Sequence, residues 1–310
     1  MLTFFSCPKA FQGHINIIQR NAIQSWMRLE PRPRIILFGN DHGIDKVCRE
    51  FDLVHIPDIK SNEYGTPFIN LIFKKAQINS KDEFLCYVNT DILLMDDFVR
   101  TFQLARNEKP RFFMIGRRWD FNIKQLVRFK EDTWREKLKQ LARQNGSLHG
   151  VTGLDYFIFP RGFYSDIPAF AIGRGAWDNW LIYYARSRHI PVIDATASVL
   201  ALHQNHDYSH IKGGQNMFWK GKEAEINLKL AGGLSYLFDI ADATYLIQKN
   251  KVRPALTAVN IWRYFYRLTL FYPFLRPVKW GLDIFLKVTK VFRVSLRLTG
   301  SAAARKTNIK

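Results

Sequence analysis

Cysteine is scarce in this chain: Cys7, Cys48 and Cys86 are the only three, an odd number set in apolar surroundings. That excludes a disulfide framework and offers no spacing for a zinc site, so the three read as reduced packing residues. No uncharged apolar run is long enough to span a bilayer. The opening segment, Met1 to Pro8, lacks a basic leader, and its apolar run is too short for a signal peptide. A reducing, cytoplasmic setting is the expectation that follows. Internal repeats and low-complexity segments are absent. Acidic residues are also short, with 27 Asp/Glu against 46 Lys/Arg and a net charge of +19. The shortage is uneven. From Lys251 to Lys310 thirteen Lys/Arg face one acidic residue, Asp283, so twelve of the nineteen net charges lie there. This is a basic tail on a moderately basic globule, not a uniformly basic nucleic-acid binder, and no nucleic-acid partner is expected.

What is present is a core. The chain has 310 residues, 47% of them apolar and 15% aromatic, which excludes a disordered chain and allows one large domain with an appendage or two small ones. Leu2 to Ser6 reads as a strand, His14 to Met27 as a helix, Arg34 to Gly39 as a strand, and the segment to Phe51 as a short helix. A strand at Leu53 to Ile56 follows, then a helix from Pro67 to about Ala76, with Thr66 and Pro67 as cap and first turn. The next strand begins at Phe84. This alternation predicts a parallel sheet with helices on both faces, a nucleotide-binding half. After Asp91 the rhythm changes. Strands are expected at Phe112 to Ile115, Tyr156 to Phe159, Pro191 to Ile193 and Ser198 to Leu202, with a helix running on from Trp180. The basic segment 121–148 carries a helical stripe of Trp134, Leu138 and Leu141, and reads as an insertion over one face of the site. The expected division is 1–250 for a catalytic domain and 251–310 for a helical tail.

The run from Phe84 to Leu94 ends a buried strand in Asn89-Thr90-Asp91. It delivers an amide side chain and, two residues on, a carboxylate to the sheet edge, where open α/β sheets bind ligands. Such a pair suits a hard divalent cation that also grips a diphosphate; it equally suits a turn or helix cap. The segment resembles the Asp-x-Asp signature of GT-A-fold glycosyltransferases, family 2 in style, with Asn89 in place of the first Asp. The segment Gly173-Arg174-Gly175-Ala176-Trp177-Asp178 resembles the Gly-x-Gly-x-Glu-Asp element of inverting GT-A enzymes, with Trp177 where Glu is usual. The plain alternative is a helix cap behind a turn. By that resemblance Asp178 is the catalytic base, held as a carboxylate by the helix dipole.

The resemblance extends over roughly Leu2 to Tyr208 and implies the rest of a site. His203, next to a late strand, stands as the third ligand beside Asn89 and Asp91, for Mn²⁺ or Mg²⁺, with imidazole favouring Mn²⁺; His206 and His210 are its neighbours in a loop that a solvated surface would also explain. Ser6 and Asp41, at the first two strand ends, and Asn62, Gly65, Thr66 and Asn89 are the implied nucleotide contacts, although Asp41 also suits a helix cap. Arg118, Trp119, Asp155 and Trp177 are the implied sugar and acceptor contacts; an Arg118–Asp120 ion pair and core packing of Trp119 are the structural alternatives. From Leu282 apolar residues at helical spacing, preceded by Trp262, Tyr264, Phe265, Phe271, Tyr272 and Phe274 among arginines, suit an interfacial helix on anionic lipid. A helical pair packed on the catalytic domain would carry the same pattern.

The expectation is therefore an α/β protein with a GT-A (Rossmann-like) mixed sheet flanked by helices and a basic amphipathic helical extension. It would transfer a sugar from a nucleoside diphosphate sugar, a UDP-sugar by resemblance, to a glycan or glycolipid acceptor hydroxyl, with inversion, at the inner face of a membrane. A nucleotidyltransferase would need a Gly-rich, Lys/Arg-bearing loop after the first strand, which Cys7 to Phe11 is not. A membrane-bound scaffold leaves the polar strand ends without a purpose.

Overall fold

The computed structural model describes residues 2–206, 220–277, 280, 281 and 284. The chain divides into two compact units, Met1–Ala255 and Leu256–Lys310. In chain order the first contains β1 (Leu2–Ser6), α1 (Gly13–Trp26), β2 (Arg34–Phe38), α2 (Ile44–Phe51), β3 (Val54–Ile56), α3 (Ile69–Asn79), β4 (Phe84–Val88), β5 (Ile92–Leu93) and α4 (Asp96–Glu108). There follow β6 (Phe113–Ile115), β7 (Arg118–Phe121), α5 (Trp134–Asn145), β8 (Ser147–Leu148), β9 (Tyr156–Pro160), α6 (Trp177–Ser187), β10 (Val192–Asp194) and β11 (Ala201–Gln204). The unit ends with α7 (Lys222–Leu230), β12 (Tyr245–Gln248) and β13 (Lys251–Pro254).

Nine strands form the main sheet in the order β13-β12-β10-β6-β9-β4-β1-β2-β3. The first half is parallel, as the strand–helix alternation predicts, with β1 between β2 and β4. The second half is mixed, because β9 runs antiparallel to both β4 and β6. The central strands are apolar on both faces, as a doubly covered sheet demands. Phe4 of β1 meets Trp26 of α1 and Phe98 of α4 on one face, at 5.8 and 5.6 Å between ring centroids. Phe5 meets Phe73 of α3 and Tyr87 on the other, at 5.0 and 5.5 Å. Each such fully buried side chain contributes roughly 1.5–3 kcal/mol of transfer free energy.

A second sheet, β5-β11-β7-β8, continues the fold beyond the Asn89–Asp91 turn. In it His203 pairs with Ile92 across the β5–β11 ladder and with Asp120 across the β7–β11 ladder. His203 thus lies within a strand, one residue short of its end, where the sequence suggested that the strand stops just before it. Helix α5 packs on this sheet through Trp134, Leu138 and Ala142, around Leu93, Met95, Phe121 and Leu202. Leu141 is exposed instead, because the buried positions recur every fourth residue.

Helix α1 also carries polar residues that are buried. Gln19 accepts from the Lys9 amide (2.8 Å) and from the Thr90 hydroxyl (2.9 Å), and donates to the Lys9 carbonyl (2.8 Å). Trp26 Nε1 donates to the Ile92 carbonyl at 2.8 Å, and the Leu94 amide donates to Ser25 at 3.1 Å. These bonds tie the segments after β1 and β4 to one rigid helix. Replacing Gln19 with Leu removes all three of its bonds, and a buried hydrogen bond left unmade costs about 1–3 kcal/mol. Urea unfolding of Gln19→Leu should show that loss; a change below about 0.5 kcal/mol, within the range of ordinary surface substitutions, would show that this clamp is unimportant.

Candidate active site

The turn after β4 is held from both sides. The Asn89 amide donates to the Asp155 carbonyl (2.9 Å), Asn89 Nδ2 donates to Asp155 Oδ1 (2.8 Å), and Asn89 Oδ1 accepts from the Tyr87 hydroxyl (3.0 Å). Asn89 therefore spends its side chain on orienting Asp155. Asp91 turns the other way. Its Oδ2 lies 3.2 Å from His206 Nε2 and 3.8 Å from His203 Nε2, and donor atoms of these three residues all fall within 4.8 Å of one another. Asp91 Oδ1 is buried and has no hydrogen-bond partner among the described residues. Burial opposes ionisation of Asp91, but the charges of His203 and His206, the hydrogen bond from His206 and the charge of Lys9 outweigh it and hold the carboxyl well below its usual range. One carboxylate with an orphaned buried oxygen and two imidazoles make a donor set that fits a divalent cation. The sequence left open which of His203, His206 and His210 would bind a metal, because nothing local distinguishes the latter two from solvated loop residues; His206 lies beside Asp91 with His203.

Beside this group sits Arg118. Its Nη1 donates to both oxygens of Asp155, at 3.0 and 2.9 Å, and its Nε donates to Asp120 Oδ1 at 2.9 Å. Asp120 also meets His203 Nδ1 at 3.1 Å and His149 Nδ1 at 2.6 Å. Burial favours the neutral form of Asp120, yet the bonds from His203 and His149 and the charge of Arg118 depress its pKa strongly. Burial lowers the His203 pKa, and the hydrogen bond to Asp120 and the charge of Asp91 more than reverse this, so it is raised.

Asp178 stands in the first turn of α6. The residue before the helix, Ala176, has φ of +85°, a conformation L side chains rarely adopt, and Gly173 has φ of +66°. Asp178 Oδ1 accepts the Asn179 amide at 2.9 Å. The sequence predicts a carboxylate held ionised by the helix dipole. The structure reverses that: burial, with the nearby charge of Asp155, pushes the pKa of Asp178 up to about 7 against the Asn179 bond and Arg118.

These residues share one cavity of about 390 Å³, within the range of small-molecule sites. Its wall includes Asn89, Asp91, Arg118, Asp155, Trp177, Asp178, His203 and His206, together with Asp41 and the Cys7–Lys9 segment that follows β1. Trp177 is buried against Tyr87, ring centroids 5.2 Å apart. Other residues anticipated for the site lie elsewhere. Trp119 lines a separate cavity with Lys139, Arg143 and Leu200, because alternation along β7 sends it to the face opposite Arg118 and Asp120. Ser6 is buried at the end of β1, one residue short of the cavity wall. Asn62, Gly65 and Thr66 form a turn outside it: Asn62 Oδ1 accepts the Tyr64 and Thr66 amides at 3.0 and 2.9 Å, and Nδ2 donates to Glu223 at 2.7 Å. Segment 121–148 contributes no wall residue, whereas His149 and Thr152–Asp155, just after it, do. His210 and the residues from Phe285 onward lie outside the described residues.

No family model and no curated protein matches the chain. Solved structures similar to it include TarS 1–349 from S. aureus in complex with UDP-GlcNAc, at 13% identity and TM-score 0.46, over 76% of this chain and 72% of that one. A second is glucosyl-3-phosphoglycerate synthase from Mycobacterium tuberculosis in complex with Mn²⁺, uridine diphosphate and phosphoglyceric acid, at 12% identity and TM-score 0.43, over 75% of this chain and 79% of that one. A further S. aureus TarS 1–349 structure matches at 9% identity and TM-score 0.41, over 66% of this chain, which spans 58% of that one's length.

Proposed function

We propose that this protein is a metal-dependent, inverting glycosyltransferase that moves a sugar from a UDP-sugar to an acceptor hydroxyl. One observation carries the reading: Asp178, with a pKa of about 7, and the Asp91–His203–His206 group line the same cavity. A base poised near neutrality and a cation site for a diphosphate are what this reaction asks of a protein.

Asp178 takes the proton of the acceptor hydroxyl as the oxygen bonds to the anomeric carbon and the bond to the diphosphate oxygen breaks. In-line attack gives inversion. When bound at Asp91, His203 and His206, Mn²⁺ or Mg²⁺ supplies charge neutralisation to the leaving diphosphate. Lys9, in the cavity wall, adds positive charge for the same group, whereas Arg174, also in the wall, is paired with Glu223 at 2.6 Å. Arg118 is engaged by Asp155 and Asp120, so its task is to hold these carboxylates. Trp177 and Asp155 bound the space for the sugar and acceptor, and Asp41 borders the space for the nucleotide.

Docking of the second unit on a membrane surface, where the acceptor would lie, is part of the proposal. Its helix α8 (Ala258–Phe271) is capped by Thr257, whose Oγ1 accepts the Asn260 amide at 3.2 Å. Val259, Ile261, Trp262, Tyr264 and Phe265 are all exposed on it. With the charge excess after Lys251, this supports docking on anionic lipid, with a glycolipid or surface-polysaccharide precursor as acceptor. No described helix is long and apolar enough to cross a membrane.

Four outcomes test these proposals. In a panel of nucleotide sugars, Mn²⁺-dependent turnover should occur, and Asp178→Asn should lower kcat by about 10²–10⁴-fold. Because the base must be ionised, activity should fall about tenfold per pH unit below about 7 and level off above it; a wild-type profile flat from pH 5 to 8, which an unshifted carboxylate would give, would remove Asp178 from the role. Mn²⁺ binding, followed by electron paramagnetic resonance, should be lost in Asp91→Ala and weakened at least about tenfold in His206→Ala. The full chain should sediment with anionic vesicles but not neutral ones, and salt should release it; equal sedimentation with both would discard the electrostatic part of the docking.

A further inference from the structure

We infer that Asp120 is a positioning residue shared by the cation site and the substrate cavity: one oxygen sets His203 as a metal ligand and the other sets His149 as a hydroxyl-recognising side chain. This rests on the cation reading of the Asp91 group. Parallel pairing of β7 with β11 places Asp120 directly opposite His203, so the contact is built into the sheet register. Asp120 Oδ1 lies 3.1 Å from His203 Nδ1, and Oδ2 lies 2.6 Å from His149 Nδ1. A carboxylate only accepts, so both rings donate Nδ1–H to it. For His203 this fixes the tautomer with its Nε2 lone pair on the edge nearer Asp91, 3.8 Å from Oδ2, as a metal-binding imidazole requires. Asp120 is not itself one of the three grouped donors, because Arg118, His203 and His149 already occupy its oxygens.

His149 is held through both its backbone and its ring. Its amide donates to the Arg118 carbonyl at 2.9 Å, and its own carbonyl accepts from Arg117 Nε at 2.6 Å. The ring fits only because residue 153 is glycine: a Cβ there would come within 2.5 Å of His149 Cδ2. Its side chain lines the cavity and remains 36% exposed. With Nδ1 committed to Asp120, the neutral ring offers Nε2 as an acceptor, which suits a sugar hydroxyl of donor or acceptor substrate. A ring fixed before the substrate arrives loses little entropy on binding.

The test uses Mn²⁺ alone, then turnover of the nucleotide sugar that the panel identifies, on the full chain. Asp120→Asn should weaken Mn²⁺ binding by about 10–100-fold, the usual effect of removing such a partner. Combined with His203→Ala it should cost nothing further, since it acts through that ring. Asp120→Glu, which keeps the charge but moves it, serves should the Asn variant unfold, and should weaken binding likewise. His149→Ala should bind Mn²⁺ as wild type does, but raise a substrate KM about tenfold with kcat less affected. Wild-type Mn²⁺ affinity in the Asp120 variants, or additive losses with His203→Ala, would overturn the positioning role. An unchanged KM in His149→Ala would overturn its substrate contact. Unchanged Mn²⁺ binding in Asp91→Ala would instead remove the cation reading beneath the inference.

Discussion

One guanidinium stands among four carboxylates. Arg118 is bonded to Asp155 and Asp120, is close enough to feel the charge of Asp91, and lowers the pKa of Asp178. In a partly buried site one guanidinium cannot offset four carboxylates by itself, so each of them finds further partners or keeps its proton. Asp155 has Arg118 and Asn89, and Asp120 has Arg118 and two imidazoles. Asp91 has the histidines and keeps one oxygen unpaired. Asp178 is left to hold its proton up to about pH 7. The two carboxylates that remain unsatisfied are those assigned to the cation and to the base. A charge imbalance that would be a fault in a structural core would, on the proposed reading, supply both chemical groups.

That arrangement needs residues far apart in the chain to meet with little slack, and two devices achieve it. The second sheet aligns Ile92, His203 and Asp120 side by side, so that ladder hydrogen bonds set the distance between Asp120 and His203. Helix α1 adds buried amides where an ordinary core helix would be apolar throughout. Gln204 donates to the Asp91 and Ile18 carbonyls, at 3.2 and 2.7 Å, and accepts from Asn21 at 2.9 Å. Buried polar networks of this sort contribute less to stability than to a unique geometry, because each broken bond strands a donor or acceptor away from water.

The parallel half of the sheet was legible because its signal is local: apolar runs alternating with helical spacing specify strands and helices one at a time. Asp91, His203 and Asp178 could be picked out for the same reason, each lying near where a strand or helix ends or begins, and the structure brings the three into one cavity. Trp119 was misplaced although the cue was present, since Arg118 and Asp120 flank it and a strand sends neighbours to opposite faces. Asn62 and Thr66 could not be read correctly. Asn62 is instead bonded to Glu223, 161 residues further on, and no local pattern announces that contact. His149 and Asp120 were hidden likewise: their meaning comes from strand register and from the space that Gly153 leaves, both properties of the folded chain. Asp178 does stand in the first turn of α6, but Ala176 is the cap residue and no side chain caps the helix; the electrostatic consequence expected of that position has the opposite sign.

That reversal can be weighed. A helix N-terminus stabilises a carboxylate by about 0.3–1 kcal/mol, up to ~2 when partly buried. A rise to a pKa of about 7, some three units above the ordinary Asp value, corresponds to about 4 kcal/mol in the other direction. Burial together with Asp155 therefore outweighs the dipole severalfold. The sign for stability follows: below the unfolded-state pKa of about 4 the group costs nothing, and the cost grows as pH rises until it passes about 7. A protein working near neutrality carries most of that cost. Two residues earlier, Ala176 holds a φ of +85°, a strain of about 1–3 kcal/mol for a residue with a Cβ. Both penalties fall within three residues at the start of one helix, while the sheet beneath is conventionally packed. Destabilisation concentrated in that way is hard to account for by folding alone, and it is the kind of local cost that the base proposed at Asp178 would explain.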